Sequence, residues 1–403
     1  MMIVRHGFMV VGEPFSGKSC ALNVLKDALG DMESLDQGER AVITITINPK
    51  SVTNLELYGF TDIATNEWSD GVLPVKFKKL AQDEAPQRKW LMFDGPVDAV
   101  WIEDMNTVLD DNKKLCLSNG DIYYMSPTMN MIFEPMDLLD ASPATVSRCG
   151  MVYMEPHMMG WTPIYESWKI DLPSTFHDYD IEAMDIYFSN ILTPLLLNFD
   201  KGQFEFTAPS YCQNIVKTLL KLANKFMKQF EEKVFYNSFE FKDRVALVDQ
   251  IMVYCTCWSA GATVTSDGRR KFDSSLKRFI NSADSTVSEE TARKHRKIKL
   301  PDGGTIFDYY LEIEEEEIIG DDEKRKIKIE WQKWTNLIDV SEEIDPESYV
   351  NEIVIKTADT IRYSHLMREA IKNEYHIFVV GPTGTGKTVY IKRILKELDT
   401  NKY

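Results

Sequence analysis

Several features that would assign the chain to a membrane, to secretion or to nucleic acid are missing from the sequence. No stretch approaches the roughly eighteen consecutive apolar residues of a transmembrane helix, and the N-terminus lacks the apolar core of a signal peptide. The formal net charge is −17, whereas DNA and anionic lipid attract basic surfaces. We therefore expect an intracellular protein with no nucleic-acid partner and no membrane partner.

Closely spaced cysteine pairs of the zinc-binding or redox type are also missing. Only one residue separates Cys255 from Cys257, which is the wrong spacing for a redox motif, and the other four cysteines are scattered among apolar patterns. We expect reduced, structural thiols. The 403 residues, 44% hydrophobic and 27% charged, are typical of a globular protein with two or three domains.

A glycine-rich loop follows the first apolar run. Residues 8–11 (FMVV) have the composition of a buried strand, residues 12–19 read GEPFSGKS, and an amphipathic helix follows. In a P-loop the backbone N–H groups surround phosphates, the lysine reaches the outer ones and the final hydroxyl ligates Mg²⁺. We therefore predict that ATP binds here with Mg²⁺, and that Ser19 is a metal ligand. The predicted nucleotide-binding residues are Gly12, Glu13, Pro14, Phe15, Ser16, Gly17, Lys18, Ser19 and Cys20.

The same arrangement recurs near the other end of the chain. Residues 377–380 (IFVV) precede the loop GPTGTGKT and another amphipathic helix. Glycine-rich turns with an incidental lysine are the alternative, which has to apply at both loops. No acid-terminated strand follows before Tyr403, so we expect weak binding by this second loop. Its predicted nucleotide-binding residues are Gly381, Pro382, Thr383, Gly384, Thr385, Gly386, Lys387 and Thr388, with Thr388 as a Mg²⁺ ligand.

A second apolar run ends in an acid. Residues 89–94 (KWLMFD) are typical of a central parallel strand that delivers a carboxylate to the Mg²⁺ of a P-loop, so Asp94 is predicted to bind nucleotide and metal. The next residue is Gly95, where a hydrolysing enzyme of this kind has a glutamate that polarises water. Glycine cannot act as a base. The nearby acids Asp98, Glu103 and Asp104 are possible substitutes or solvated acids of a helix.

The next segments alternate between strand and helix patterns. Asn119 and Gly120 lie between apolar flanks and predict a hairpin with a type I′ turn. Residues 129–133 predict a buried strand that Glu134 follows. Residues 141–153 then predict a helix with Arg148 near its end, where a cation either faces a neighbouring molecule or stabilises the helix dipole.

Strand patterns almost vanish from residue 161 to about residue 283. Helical periodicity over residues 181–199, 215–230 and 245–258 predicts a small helical domain. Residues 306–317 are acidic and residues 324–334 are basic, and they flank turn residues. A β-hairpin is favoured here over a disordered acidic tract because opposite charges on paired strands attract.

Several stretches resemble the motor ring of a dynein heavy chain, specifically its second AAA+ module and the start of the third. The sequence of the second module looks more like axonemal than cytoplasmic dyneins. The resemblance covers the whole chain. The matching stretches are MIVRHGF at residues 2–8, WLMFDGPVD at 90–98, WIEDMNTVLDDN at 101–112, ASPATVSRCG at 141–150 and TADTIRY at 357–363.

The resemblance implies an α/β fold of the AAA+ P-loop NTPase class, with a parallel sheet flanked by helices. A small helical lid and a truncated start of a second AAA+ module follow. The implied divisions are a large α/β subdomain at residues 1–156, a helical lid subdomain at 157–290, and a linker, β-hairpin and N-terminal part of the next module at 291–403.

The resemblance also implies roles for single residues. Each nucleotide lies between neighbouring modules, and Arg148 matches the arginine finger that serves the preceding module, which this chain does not include. Glu134 falls where active modules have a sensor asparagine. Because Gly95 also lacks the catalytic carboxylate, the module is expected to bind ATP and to retain it.

The implied partners are other AAA+ modules of the same heavy chain and, through the rest of that chain, dynein intermediate and light chains and microtubules. The implied location is the cytoplasm and cytoskeleton, in the axoneme of a cilium or flagellum. Two alternatives stay open. An independent AAA+ ATPase or chaperone-like remodelling protein would need an acid after Asp94, and a scaffold without nucleotide binding is opposed by the intact Lys18 and Ser19.

Overall fold

The computed structural model describes residues 5–208, 210–286, 298–316, 326–338 and 355–398. Internal contacts divide the chain into two units, Met1–Gly160 and Trp161–Tyr403. The predicted boundary at residue 290 lies outside the described residues, so the division into three parts stays a prediction. None of the helices in the described ranges combines the length and apolar character needed to span a bilayer.

The first unit is built on a parallel sheet of five strands in the order β2-β5-β8-β1-β9. Two small antiparallel hairpins, β3–β4 and β6–β7, lie outside this sheet. The strands of the unit are β1 Gly7–Val11, β2 Val42–Ile47, β3 Gly59–Thr61, β4 Trp68–Asp70, β5 Arg88–Phe93, β6 Lys114–Cys116, β7 Ile122–Tyr124, β8 Met129–Phe133 and β9 Gly150–Tyr153.

Both faces of the five-stranded sheet are buried, which explains why its central strands read as unbroken apolar runs. Along β1, Phe8 and Val10 pack into the core on one face, while Met9 and Val11 pack into the core on the other. The helices that flank the sheet and its loops are α1 Lys18–Ser34, α2 Asn54–Tyr58, α3 Val72–Gln82, α4 Ala99–Ile102, α5 Asn106–Leu109, α6 Pro143–Arg148 and α7 Pro156–Met159.

The predicted hairpin at Asn119 and Gly120 is present as β6–β7, but its turn differs from the prediction. Gly120 has a φ of +92°, whereas Asn119 is not among the residues with positive φ. The Gly120 N–H donates to the carbonyl of Leu117, and the Leu117 N–H donates to the carbonyl of Asp121. A type I turn followed by a left-handed glycine therefore replaces the predicted type I′ turn.

The second unit begins with a helical bundle, as the periodicity predicted. Its core includes aromatic residues from most of the helices, such as Tyr165, Phe188, Phe226 and Trp258. A π-helical segment, Phe188–Leu192, joins the second and third helices of this bundle. The helices are α8 Thr162–Ile170, α9 Asp178–Tyr187, α10 Thr193–Asp200, α11 Cys212–Met227, α12 Lys233–Asn237, α13 Phe241–Ser259 and α14 Ser266–Thr286.

Two antiparallel strands follow the bundle, β10 (Tyr309–Glu316) and β11 (Lys326–Lys333). Their register places Glu314 opposite Lys328, the pairing of opposite charges that favoured a hairpin. The predicted turn at residues 320–322 lies outside the described residues.

The last described segment contains α15 (Ala358–Lys372) and α16 (Lys387–Glu397). Helix α15 packs on the helical bundle: Arg362 donates to the carbonyl of Phe307 at 2.9 Å and its guanidinium lies 5.7 Å from the ring centre of Trp258. Residues 377–380, predicted as a strand, are described without strand structure, and Phe378 is 90% exposed.

Candidate nucleotide-binding site

The first P-loop connects β1 to α1 through two glycines that no other residue can replace without strain. A Cβ at Gly12 would lie 2.2 Å from the carbonyl oxygen of Met154, and Gly17 has a φ of +83°. Gly17 also leaves the start of α1 without a side-chain cap. Free N–H groups at a helix start, together with the helix dipole, bind phosphate.

The functional side chains of this loop point to the same place. The Lys18 ammonium donates to the carbonyls of Gly12 and Glu13. Burial lowers the pKa of Lys18, while the nearby charges of Glu134 and Asp94 act to raise it. The Ser16 hydroxyl is fully buried inside the loop and has no hydrogen-bond partner among the described residues. A buried polar atom of this kind favours a polar ligand.

The remaining predicted residues of the loop lie around this centre. Glu13, Pro14 and Phe15 form its exposed tip, and Phe15 has a φ of +66°. Ser19 and Cys20 lie in the first turn of α1 and are exposed. Among the described residues, Cys20 makes no contact that assigns it a role beyond the backbone of this turn.

Strand order brings a second acid beside Asp94. Strands β5 and β8 are parallel neighbours with Phe93 in register with Phe133, so Asp94 and Glu134 follow them at the same edge of the sheet. The Glu134 N–H donates to the carbonyl of Phe93 at 3.0 Å. Asp94 is exposed, whereas Glu134 is 5% exposed.

Glu134 also contacts the P-loop directly. The Ser19 hydroxyl donates to Glu134 Oε2 at 2.5 Å. The resemblance placed Glu134 at a sensor position, but the sequence did not predict this contact with Ser19. The available signal was a second buried apolar run ending in an acid, similar to the run ending at Asp94, but the sequence does not show which strands are neighbours.

A side chain at the position of Gly95 would be in tight contact with Asn48. A Cβ there would lie 3.1 Å from the side-chain oxygen of Asn48, which accepts a hydrogen bond from the backbone of Lys50. The substitute acid Asp98 is already engaged: it caps α4 and forms an ion pair with Lys50. Burial acts to raise the pKa of Asp98, but the hydrogen bond and charge of Lys50, together with the N–H groups of Trp101 and Val100, lower the pKa overall.

The other two candidate bases, Glu103 and Asp104, are exposed on a short 3₁₀ helix after α4. Neither has a contact with the P-loop among the described residues. Over the same part of the chain, no three His, Cys, Asp or Glu side chains are grouped so as to hold a metal. A Mg²⁺ ion at Ser19 and Asp94 would thus complete its oxygen ligands with phosphate and water.

Arg148 is the last residue of α6, as predicted, and its guanidinium is held within its own unit. It pairs with Asp110 and donates to the carbonyl of Ala144 at 2.9 Å. The side chain keeps 30% exposure. A role as a finger for another module requires the exchange of Asp110 for phosphate.

The second P-loop has a similar local conformation. Gly386 has a φ of +79° at the start of α16, and Lys387 donates to the carbonyls of Gly381 and Pro382 at 2.6 and 2.5 Å. Thr383, Gly384, Thr385 and Thr388 are exposed. In the described part of the second unit, no acid lies beside Thr388 as Glu134 lies beside Ser19.

The residues of the first loop fit Mg·ATP. The uncapped helix start, the buried Ser16 hydroxyl and Lys18 suit phosphate, and the oxygens of Ser19 and Asp94 are the hard ligands that Mg²⁺ prefers.

Two family models match the second unit. The dynein heavy chain AAA lid domain matches residues 184–336, and the P-loop containing dynein motor region matches residues 342–403. The lid match includes the β10–β11 hairpin as well as most of the helical bundle.

Curated relatives match from end to end of the chain. Dynein axonemal heavy chain 12 of Mus musculus is 37% identical over 411 residues, which cover 100% of this chain and 13% of the relative. Dynein axonemal heavy chain 3 of Homo sapiens is 37% identical, with 100% and 10% covered, and dynein axonemal heavy chain 1 of Homo sapiens is 38% identical, with 98% and 9% covered. The chain therefore spans about an eighth or less of these relatives' length. It belongs to the dynein heavy chain family, of the axonemal type, as a segment of the AAA+ motor region.

Proposed function

We propose that this segment is the second AAA+ module of the motor ring with the start of the third, and that its first P-loop is a structural or regulatory ATP site with little or no hydrolysis. One observation carries the proposal. An intact phosphate cradle with Lys18 and Ser19 is combined with Gly95, which carries no carboxylate, at the position directly after Asp94.

The chemistry follows from what each side chain can do. Lys18 and the N–H groups at the start of α1 bind phosphate charge, and Ser19 and Asp94 hold Mg²⁺, which when bound neutralises the phosphate oxygens. Hydrolysis also needs a group that orients the attacking water. Asp98 is paired with Lys50 and does not supply it. The site therefore binds ATP more readily than it cleaves it.

The module would also act on its neighbour in the ring, through Arg148. We propose that Arg148 serves as the arginine finger of the preceding module and that its pairing with Asp110 holds it in place until phosphate competes for it. A finger of this kind contributes about 10³ to 10⁵ in rate to the site that it faces. The preceding module, not this one, would lose activity without Arg148.

The names of the relatives, which are axonemal heavy chains, support a proposal for where the segment works in the cell. We propose that it works within an ATP-driven microtubule motor of a ciliary or flagellar axoneme. Its partners would be the other AAA+ modules of the same heavy chain and, through the rest of that chain, intermediate and light chains and microtubules.

The proposal is tested by the nucleotide that the purified chain contains and by its turnover. Mass spectrometry of the released nucleotide should show ATP, and added ATP should turn over far more slowly than about one per second. The matched variants are Lys18→Ala, which should lose the nucleotide, and Lys387→Ala, which should keep it. Turnover above that rate, abolished by Lys18→Ala, would contradict the proposal.

A further inference from the structure

We infer that Glu134 is a magnesium-binding residue of the first P-loop and makes ATP binding there strictly dependent on a divalent cation. The inference rests on the proposed function, because it concerns the same ATP site. The resemblance alone implies only that Glu134 replaces a sensor asparagine. We infer in addition that Glu134 binds the metal.

The first step is geometric. Glu134 and Asp94 follow neighbouring parallel strands in register, and Ser19 Oγ lies 2.5 Å from Glu134 Oε2. Adjacent ligands in an octahedral Mg²⁺ shell, each about 2.0–2.1 Å from the ion, are about 2.9 Å apart. A movement of only a few tenths of an ångström would therefore let Ser19 and Glu134 contribute oxygens to one ion, at the sheet edge where Asp94 also lies.

The second step is electrostatic. Glu134 is 5% exposed, so its carboxylate is largely removed from water, and the described residues provide it one side-chain hydrogen bond, from Ser19. Lys18 is close enough for the charges of Glu134 and Asp94 to act on its pKa. A buried carboxylate needs a partner of opposite charge or strong hydrogen bonds. Bringing ATP phosphates to this place adds more negative charge, which a divalent cation offsets.

An independent observation favours a polar ligand at this place. The Ser16 hydroxyl, fully buried in the same loop, has no hydrogen-bond partner within the described ranges. It lies beside Gly12, where a Cβ would be 2.8 Å from the Ser16 oxygen. The loop thus has an unused polar atom in its interior and a buried acid at its edge.

A charged Glu134 affects ATP binding differently from a neutral sensor residue. An asparagine orients water or phosphate and adds no charge, whereas Glu134 repels ATP that arrives without metal and attracts the metal complex. Glu134→Gln keeps the size of the side chain and a hydrogen-bond acceptor but removes the charge. It should therefore weaken Mg²⁺ binding and improve the binding of metal-free ATP.

The experiment measures ATP affinity of the full 403-residue chain by calorimetry, once with Mg²⁺ and once with EDTA. The measured quantity is the dissociation constant with EDTA divided by the dissociation constant with Mg²⁺. Glu134→Gln should reduce this ratio by about tenfold or more, as loss of a metal-supporting side chain typically costs. Glu134→Asp, which keeps the charge, should retain most of the ratio. Glu84→Gln removes an exposed acid of the same unit and should leave the ratio unchanged.

A second readout uses Mn²⁺ in place of Mg²⁺, with bound Mn²⁺ counted by electron paramagnetic resonance in the presence of ATP. Glu134→Gln should require about tenfold more Mn²⁺ for half-saturation. An unchanged ratio and unchanged Mn²⁺ affinity in Glu134→Gln would overturn the inference, as would equal weakening with and without metal. Failure of the unmodified chain to bind ATP at all would instead remove the proposed function, and this inference with it.

Discussion

The two P-loops of the chain have nearly the same local conformation and very different surroundings. Gly17 and Gly386 both start their helices with a φ near +80°, and Lys18 and Lys387 both donate to loop carbonyls. The strand before the first loop, β1, is buried between β8 and β9 in the five-stranded sheet. Residues 377–380, before the second loop, are described without strand structure.

The conformation of a P-loop depends on nearby residues, whereas a complete nucleotide site also depends on residues from other strands. Glycine conformation and helix start are set by residues within the motif, so both loops show them. The carboxylate that contacts Ser19, that of Glu134, follows a different strand, and it reaches Ser19 because β8 lies next to β1. In the described part of the second unit, nothing equivalent reaches Thr388.

The largest expected effect separates the two lysines. Lys18→Ala should weaken Mg·ATP binding by about 100-fold or more, because it removes charge-assisted hydrogen bonds to phosphate. Lys387→Ala should change the affinity by less than about twofold, within the additivity expected of a distant site. Calorimetric titration of both variants with Mg·ATP measures the difference. Equal losses in the two variants would show that both loops bind.

The second effect is on stability. ATP that binds only the folded state at a hundredfold excess over Kd should add about 2.7 kcal/mol to the unfolding free energy of the unit that holds it. We expect the shift in the first unit and little in the second, resolved by hydrogen exchange with mass spectrometry. Lys18→Ala provides the control, since it should remove the shift. Equal protection of α16 would contradict the comparison.

A third effect concerns α15, which lies just before the second P-loop and is anchored to the helical bundle. His365 packs 5.3 Å from the ring centre of Trp334 and 6.1 Å from that of Tyr310. Burial, together with the charges of Lys225, Lys372 and Arg368, lowers the pKa of His365 to about 4, although Glu369 acts to raise it. The neutral imidazole is therefore favoured in the folded state.

The sign of the pH effect follows from that shift. Above the unfolded pKa of 6.5 the packing of His365 contributes in full, and as the pH falls from 6.5 towards 4 the unfolded chain takes up the proton first, so stability is lost. We expect a loss of about 1–2 kcal/mol, allowing for the partial exposure of the ring. Urea unfolding of the second unit at several pH values measures it. His365→Phe should flatten this part of the profile, and an identical profile would contradict the assignment.

The smallest expected effect is on the rate of proteolysis, which we expect to differ between backbone segments. Phe378 is 90% exposed in a segment without strand structure, and chymotrypsin accepts aromatic residues. Among the described residues, we expect the first chymotrypsin cut at Phe378, ahead of α15 and of the first unit. Mg·ATP should leave this cut unchanged, and Phe378→Ala should abolish it. Protection of Phe378 by ATP would indicate a formed second site.

Local signals in the sequence were sufficient for much of this fold. The apolar runs at β1, β5 and β8, both glycine-rich loops and the helical bundle follow from patterns within ten to twenty residues. The β3–β4 hairpin was not predicted, because its three-residue strands, such as Trp68–Asp70, are too short to show alternation.

The site was harder to predict than its parts. Asp94 was placed at the metal because a single strand carries it, but the contact between Ser19 and Glu134 joins residues 115 positions apart. It depends on β8 lying between β5 and β1, which is a property of strand order. Similarly, only the fold shows that Asp98 is paired with Lys50 and that the position of a Gly95 side chain is crowded by Asn48.

The central claim is that one of the two P-loops is a working ATP site. The most direct test is the stoichiometry of Mg·ATP binding to nucleotide-free, unmodified chain, measured by calorimetric titration with the active protein concentration determined independently. We expect one tight site per chain. Two equivalent tight sites per chain would contradict it, because the second loop would then bind ATP without the strands and acids that support the first.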